Sequence, residues 1–549
     1  MPVVDWRRII TDPLFPPMPF ALIFISGGAI LALELLASRI MTPYFGVSLY
    51  IWTGILSITL VSLALGYWWG GRLASGTPVP SDRKIGLLFG IMPALAGIAI
   101  VAACLAYPLA FHPLARWSLG GGAFVACLIL LLLPLVTTSA MNPLLVALLL
   151  RRQVGHKGDA GAGLVFFVST LGSVAGVLIT AFLLIPNISN YTGTLLVAGI
   201  LGTLSLVAAA SPQLPMSARG SVTSCAVAAI LGAALLAWQA DRYTGRQGPV
   251  AFSGAQWQVE GTHNSLFGTV KILRSNADAD GKFQRMYFHD GLIQNTVDSN
   301  QQSTSFYTWA LEALSRAYRP QLQDVLMLGL GAGIVPSRLA RDGARVEVVE
   351  IDPSSLAVAQ RYFGFDSRRV ITHQADARTF VAGCEPRHDV VLVDLFHGDG
   401  TPDYLITREF FRDLKRCLKP DGVAVFNTFA NLEDPRAYAH LLATLKSELP
   451  HVALFRPDWP GARYINSFLV AAPAALPPTQ RITLDGVPER HAATLWDMLA
   501  RPRAVDAELS AGGKIIHDAW NAASLDMAGS QAAFRRGVLE NSPPALLMN

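Results

Sequence analysis

The sequence predicts a multi-domain chain: an α-helical transmembrane bundle of about seven spans, then a small β-meander, then a doubly wound, Rossmann-like α/β domain with a helical tail. Three observations carry this reading. The composition is too apolar for a soluble protein of 549 residues, with a mean hydropathy of +0.39 and only 15% charged residues. The apolar residues gather in long runs that stop before residue 240. Beyond residue 306, strand and helix patterns alternate, as they do in a parallel sheet covered on both faces. The corresponding domain boundaries are 1–240, 251–305, 306–475 and 476–549.

Runs long enough to span a bilayer lie at about 18–40, 50–74, 85–111, 122–150, 163–185, 192–210 and 222–238. Trp6, Arg7 and Arg8 precede the first run, but Glu34 and Arg39 near its end and the lack of a small-residue cleavage site favour a retained helix over a signal peptide. Gly172 and Gly176 share one helical face, a spacing that lets helices pack closely. The fourth run contains Pro134 and Asn142-Pro143, so it is expected to kink or partly unwind. Broken helices can line a solute path, and a packed proline kink is the plainer reading. Glu34 is costly in a membrane segment unless it is paired or faces a polar cavity, and Arg39 is its candidate partner.

If every run crosses once, Arg7, Arg8, Arg72, Arg83, Lys84, Arg151, Arg152, Lys157 and Arg219 share one side. Arg39, Arg116, Arg242 and Arg246 take the other. The positive-inside rule then puts the N-terminus in the cytoplasm, and an odd number of crossings puts the soluble part outside. The soluble part is nevertheless expected on the cytoplasmic side of a multi-pass protein of the cell inner membrane, which requires one run not to cross or the fourth to split.

Lys+Arg 43 against Asp+Glu 39 gives a net charge of +4, too slight and too dispersed to indicate a nucleic-acid partner. Cys104, Cys127 and Cys225 lie in apolar runs, and Cys384 and Cys417 in the soluble part. Their spacing supports neither a disulfide framework nor a zinc site, so all five read as small buried hydrophobes. No metal is expected.

The stretch from Asp324 to Pro353 reads as strand, glycine turn, helix, strand and acid. Gly329, Gly331 and Gly333 allow a tight turn and close approach to a ligand. The helix start offers free N–H groups, and Glu350, about twenty residues on, suits a ribose diol. An ordinary strand-to-helix turn is the bland alternative, but acids at later strand ends favour a ligand site. Pro336 stands where a dinucleotide fingerprint wants a third glycine or alanine, which favours an adenosyl sulfonium. Asp376 suits an adenine amino group, Asp394 is left at the reacting end, and Asp352 before Pro353 reads as a helix cap.

These motifs resemble the spermidine synthases, or polyamine aminopropyltransferases. The matches are Asp290-Gly291-Leu292-Ile293-Gln294, Tyr307, the Gly329–Gly333 loop, Val349 to Pro353, Asp376-Ala377, Asp394, and Leu405 to Phe411 followed by Leu418-Lys419-Pro420-Asp421-Gly422. With its apolar half, the chain is similar to the membrane-fused members of bacteria. The resemblance implies a small β-domain on a methyltransferase-type Rossmann domain. It also implies S-adenosylmethionine or its decarboxylated form as co-substrate, with Gln294 and Ala377 in the cofactor site and Tyr307 beside the reaction. Departures bear on the acceptor. Ala332 replaces an acid that holds the aminopropyl end, Thr308 replaces a histidine, and His397 replaces the second acid of the amine-binding pair, leaving an imidazole that could serve as base.

The implied partners are a small-molecule nucleophile, an amine or a membrane-delivered compound, together with the lipid bilayer; the resemblance also admits a homodimer. The first reading is transfer of an aminopropyl-type group with release of methylthioadenosine. Methyl transfer, lyase cleavage of the cofactor, and a transporter with an adenosyl-binding sensor domain stand as alternatives.

Overall fold

The computed structural model describes residues 17–47, 49–76, 78–152, 158–210, 216–243, 248–396, 400–431, 436–459, 464–505 and 509–549. The chain divides into two compact units. One comprises Met1–Gly248 with Ser542–Asn549, and the other Pro249–Asn541.

The first unit is helical. Among the described residues seven helices are long and apolar enough to cross a membrane: α1 (Met18–Phe45), α2 (Ile51–Ala74), α3 (Asp82–Trp117), α4 (Leu119–Arg151), α5 (Gly161–Asn187), α6 (Asn190–Ala210) and α7 (Arg219–Trp238). The fourth run does not split into two spans. A π-helical turn, Leu128–Leu132, comes just before Pro134. The hydroxyls of Thr137 and Thr138 donate to the carbonyls of Leu133 and Pro134 at 2.8 and 2.7 Å. Local widening and hydroxyl donors absorb the proline without opening the helix.

Gly172 and Gly176 bring α5 against α1, since a Cβ on either would overlap the carbonyl oxygen of Phe24 or of Gly28. Such close approach favours small residues where hydrophobic contrast with lipid is lacking. Glu34 is half-buried on α1 beside Thr59 of α2. At the other end of the sequence, Asn549 joins the same unit: Tyr191 N–H donates to its carbonyl, and its Nδ2 donates to the carbonyl of Arg39 at 3.1 Å.

The second unit holds two sheets. The first is a five-stranded antiparallel meander in sequential order: β1 (Val250–Phe252), β2 (Ala255–Ser265), β3 (Gly268–Ser275), β4 (Gln284–His289) and β5 (Leu292–Asp298). The turn between β4 and β5 is Asp290-Gly291, with φ of 45° and 86°. Consecutive positive φ values suit the right-handed twist of a two-residue hairpin.

The second sheet has eight strands. Helix α8 (Phe306–Tyr318) leads into β6 (Asp324–Leu328), α9 (Ile334–Arg341), β7 (Arg345–Glu350), α10 (Pro353–Tyr362), β8 (Val370–Gln374), α11 (Ala377–Ala382) and β9 (His388–Val393). Then come α12 (Arg408–Cys417), β10 (Leu418–Asn431), α13 (Arg436–Glu448), β11 (His451–Phe455), β12 (Tyr464–Ala472), α14 (Glu489–Ala500), β13 (Arg503–Ala504) and α15 (Ala523–Asn541). The strand order is β13-β11-β12-β10-β9-β6-β7-β8.

Strands β8, β7, β6, β9 and β10 run parallel, β12 runs antiparallel to them beside β10, and β11, antiparallel to β12, resumes their direction. The sheet is therefore mixed rather than wholly parallel, a common end to a doubly wound sheet. Alternate residues feed two cores. Val325, Met327, Val346, Val348, Val390 and Leu392 pack with α8 on one face, and Leu326, Leu328, Val349, Val391 and Val393 pack with α12 on the other.

One reading of the cysteines is overturned. Cys384, just after α11, and Cys417, at the end of α12, are joined in a disulfide with their Cα atoms 5.0 Å apart, while Cys104, Cys127 and Cys225 are free. A separation of 33 residues gives no pairing signal; the packing of α11 on α12 creates it. The unfolded, unreduced chain is expected to titrate three thiols and the reduced chain five; five without reductant would refute the bridge. Its loss should lower stability by about 3–4 kcal/mol on a chain-entropy estimate. Gly172→Val, which forces α5 off α1, should cost about 3 kcal/mol, read as a lower unfolding midpoint of the purified protein. An unchanged midpoint would refute close packing there.

Candidate active site

Three successive parallel strands end at one level and set the site. Gly329 follows β6 with φ +93°, and its N–H donates to the carbonyl of Val349 on β7 at 2.9 Å. A Cβ here would overlap the carbonyl oxygen of Asp394, so only glycine lets β6 and β9 terminate side by side. Gly331, at φ +53°, has open space where a side chain would be. Gly333, at φ +72°, caps α9 and lies against the ring of Phe365, away from the cavity lining.

Glu350 at the end of β7 accepts from the backbone N–H of Leu330 at 2.9 Å through Oε2, and from that of Asp352 at 2.8 Å through Oε1. Burial raises its pKa, and the two backbone donors oppose the rise. Asp352 caps α10, accepting from Ser354 N–H at 2.9 Å and from the Ser265 hydroxyl at 2.9 Å. Asp376 caps α11 through Thr379 N–H at 2.9 Å, and its second oxygen accepts from the Tyr404 hydroxyl at 3.2 Å.

Asp394 follows β9, and its backbone N–H donates to Leu328 at 3.0 Å. Its Oδ1 accepts from Asn427 Nδ2 at 2.9 Å, and Asn427 is itself oriented by Asn466 Nδ2 at 3.0 Å. Burial pushes the Asp394 carboxyl up to about 6, against the lowering effect of Asn427, with the nearby charge of Glu350 adding to the rise. A carboxyl in that range exchanges protons near neutral pH. The Tyr307 hydroxyl, from the first turn of α8, accepts from Asn295 Nδ2 at 3.1 Å, and burial raises its pKa.

A cavity of about 350 Å³ gathers Gln294, Tyr307, Gly329, Gly331, Glu350, Asp376, Ala377 and Asp394. His397 lies outside the described residues. Sequence reading missed Phe267, Tyr287, His289 and Tyr404, which also line the cavity, and Asn427, which orients Asp394. Asn427 had a signal, being a polar residue in the apolar run of β10. Tyr287 and His289 had none, because it is the folding of the meander that turns β4 toward the strand ends.

The family departures have structural settings. Ala332 is buried in an apolar cluster with Val270, Ile272 and Phe363. The Thr308 hydroxyl donates to Ser303 at 2.9 Å and to the carbonyl of Ser305 at 2.9 Å. Among the described residues no group of three or more His, Cys, Asp or Glu could hold a metal ion.

Residues 305–456 match the family model of the spermine/spermidine synthase domain. A polyamine aminopropyltransferase of Vibrio vulnificus is 37% identical over 163 residues, which are 28% of this chain and 54% of that protein. The chain thus spans about half the length of that relative. A polyamine aminopropyltransferase of Mycobacterium tuberculosis is 29% identical over 407 residues, covering 68% of this chain and 73% of that one. A probable spermidine synthase from Corynebacterium glutamicum, of known structure, shows 22% identity and a TM-score of 0.39 over 47% of this chain and 96% of that one. The domain at residues 305–456 is thus of the spermine/spermidine synthase class. Beside that domain, the described residues of the chain include seven helices of membrane-spanning length and apolarity.

The Asp394 carboxyl signal, isolated as the infrared difference between the wild type and Asp394→Asn, should titrate near 6. In Asn427→Ala the lost donor no longer favours the charged form, so the midpoint should move to higher pH by roughly one unit. A midpoint near the ordinary carboxylate value in both proteins would refute the buried setting.

Proposed function

We propose that the chain is a membrane-bound transferase that moves an aminopropyl-type group from decarboxylated S-adenosylmethionine, or the matching group from S-adenosylmethionine, to an amine or similar nucleophile, with release of methylthioadenosine. The convergence of Glu350, Asp376 and Asp394 on one cavity, in a spermidine synthase-like domain, carries this reading. The volume falls within the range of small-molecule sites, and the carboxylates suit a cationic sulfonium. When bound, the sulfonium supplies a carbon already activated for displacement by its thioether leaving group.

The residues of the chain then have distinct tasks. Glu350 would accept the ribose hydroxyls while still fixed by its two backbone donors. Asp376, steadied by Tyr404, would face the adenine edge. Asp394 would orient the nucleophile in line and take the proton it sheds as its lone pair forms the new carbon bond and the carbon–sulfur bond breaks. Tyr307 would bound the reacting end, Gln294 would contact the cofactor, and His397 would serve as a second base. Because Ala332 and Thr308 stand where the family places ionisable groups, recognition of a diamine is weakened, and a less highly charged nucleophile fits better.

Cofactor supply supports the cytoplasmic face for the soluble unit. If each of the seven long apolar helices among the described residues crosses once, the excess of Lys and Arg favours the other face, as does the Cys384–Cys417 bridge.

Labelled decarboxylated S-adenosylmethionine incubated with the full chain and an amine mixture should yield methylthioadenosine and a propylated amine. Methylthioadenosine without an acceptor product would mean lyase cleavage, and S-adenosylhomocysteine from S-adenosylmethionine would mean methyl transfer. No nucleoside product from either donor would refute the enzymatic reading. Asp394→Asn should abolish turnover while changing nucleoside affinity by less than about tenfold, and kcat/KM should rise with pH through about 6 as the carboxyl loses its proton.

A further inference from the structure

The soluble unit ends in α15, outside the segment that matches the family model, yet three of its side chains reach three segments that flank the cavity. Gln531 lies against Gly400, beyond the loop that follows Asp394. Phe534 meets Phe429 edge to face, with ring centroids 4.6 Å apart, two residues beyond the Asn427 that holds Asp394. Arg535 is 0% exposed, and its Nη1 donates to the carbonyl of Asp290 at 2.9 Å. The segment before α15 reaches the same region: Asn521 Nδ2 donates to the carbonyl of Asp403 at 2.8 Å, and Arg378 pairs with Asp518 while donating to the carbonyl of Tyr404.

A guanidinium with no solvent exposure is costly to bury unless its donors are used, so its placement constrains whatever accepts from it. One acceptor is the main chain of the β4–β5 turn. That turn is tightly specified: Asp290 takes a positive φ, its Oδ1 accepts from Thr269 N–H at 2.9 Å, and its flanking residues His289 and Gln294 both line the cavity. A main-chain carbonyl cannot be moved without moving both neighbours. Arg535, on a helix 245 positions away in sequence, therefore holds the main chain of a turn whose two strands both contribute to the cavity lining.

We propose that Arg535 is a positioning residue of this site, holding the Asp290-Gly291 turn so that His289 and Gln294 face the cavity, with α15 as the brace that carries it. This rests on the transferase reading for its effect on turnover but not for its effect on the turn. Glu350 and Asp376 are anchored by backbone donors of other elements, so loss of Arg535 should loosen the wall carrying His289 and Gln294 and leave the two acids in place.

The test compares the wild type, Arg535→Met and Arg535→Lys, each as the full chain. Hydrogen exchange of the backbone amides from Tyr287 to Gln294 should quicken at least about tenfold in Arg535→Met, with β6, β7 and β9 protected as in the wild type. A single ammonium can still reach the carbonyl, so Arg535→Lys should recover part of the protection. In turnover assays with decarboxylated S-adenosylmethionine, Arg535→Met should lower kcat/KM at least about tenfold, and Arg535→Lys should recover part of it. Unaltered exchange at the turn in Arg535→Met overturns the proposal. So does equal loss of protection across β6, β7 and β9 in both variants, which would make Arg535 a general fold residue. Absence of any donor turnover in the wild type would instead refute the transferase reading and leave the exchange result to decide the role of Arg535.

Discussion

The in-register pairing of β6 with both its neighbours is the constraint on which the site depends. Leu328 stands opposite Val349 on one side and Val393 on the other. The residues that follow, Glu350 and Asp394, are therefore delivered to either side of Gly329 at one level. The pairing of Glu350 with Gln374 extends the same level to β8, and Asp376 follows two residues later. A shift of one residue in any of these registers would turn an acid into the opposite face of the sheet. The glycine loop is a consequence as much as a cause, since side chains at Gly329 would collide with the main chain of Asp394. Carboxylates brought together in this way share a poorly solvated space, and burial and mutual repulsion shift Asp394 toward neutrality.

The membrane-type unit follows a different physical rule. Helices this apolar would gain little from contrast with lipid, and they pack through close backbone approach at glycines and through hydroxyls that bond to backbone carbonyls. Gly172 and Gly176 on α5 and the threonines around Pro134 on α4 are examples of each. Ser173 adds a hydroxyl bond to the carbonyl of Gly27 at 2.9 Å, between α5 and α1.

Much of this was legible in the sequence because it rests on local patterns. The seven apolar runs, the alternating meander, and the apolar strands ending in glycine or acid each carry a period or a punctuation mark that needs no knowledge of distant contacts. Glu350, Asp376 and Asp394 could be read because each lies at or within two residues of the end of a strand. What escaped were features made by contact between segments far apart. The Cys384–Cys417 bridge depends on how α11 meets α12, and β11 and β13 are short strands that join an edge only once β12 is in place. The helical tail at 476–549 carries no motif that marks a site, yet it supplies Arg535 to the turn at Asp290.

Calorimetric titration of the full chain with methylthioadenosine, run beside Glu350→Ala, tests the nucleoside site most directly. Saturable binding by the wild type, weakened at least about tenfold by the substitution, about 1.4 kcal/mol, is the result that follows from a ribose held at the end of β7. No binding by the wild type, or equal affinity in the two proteins, would contradict it.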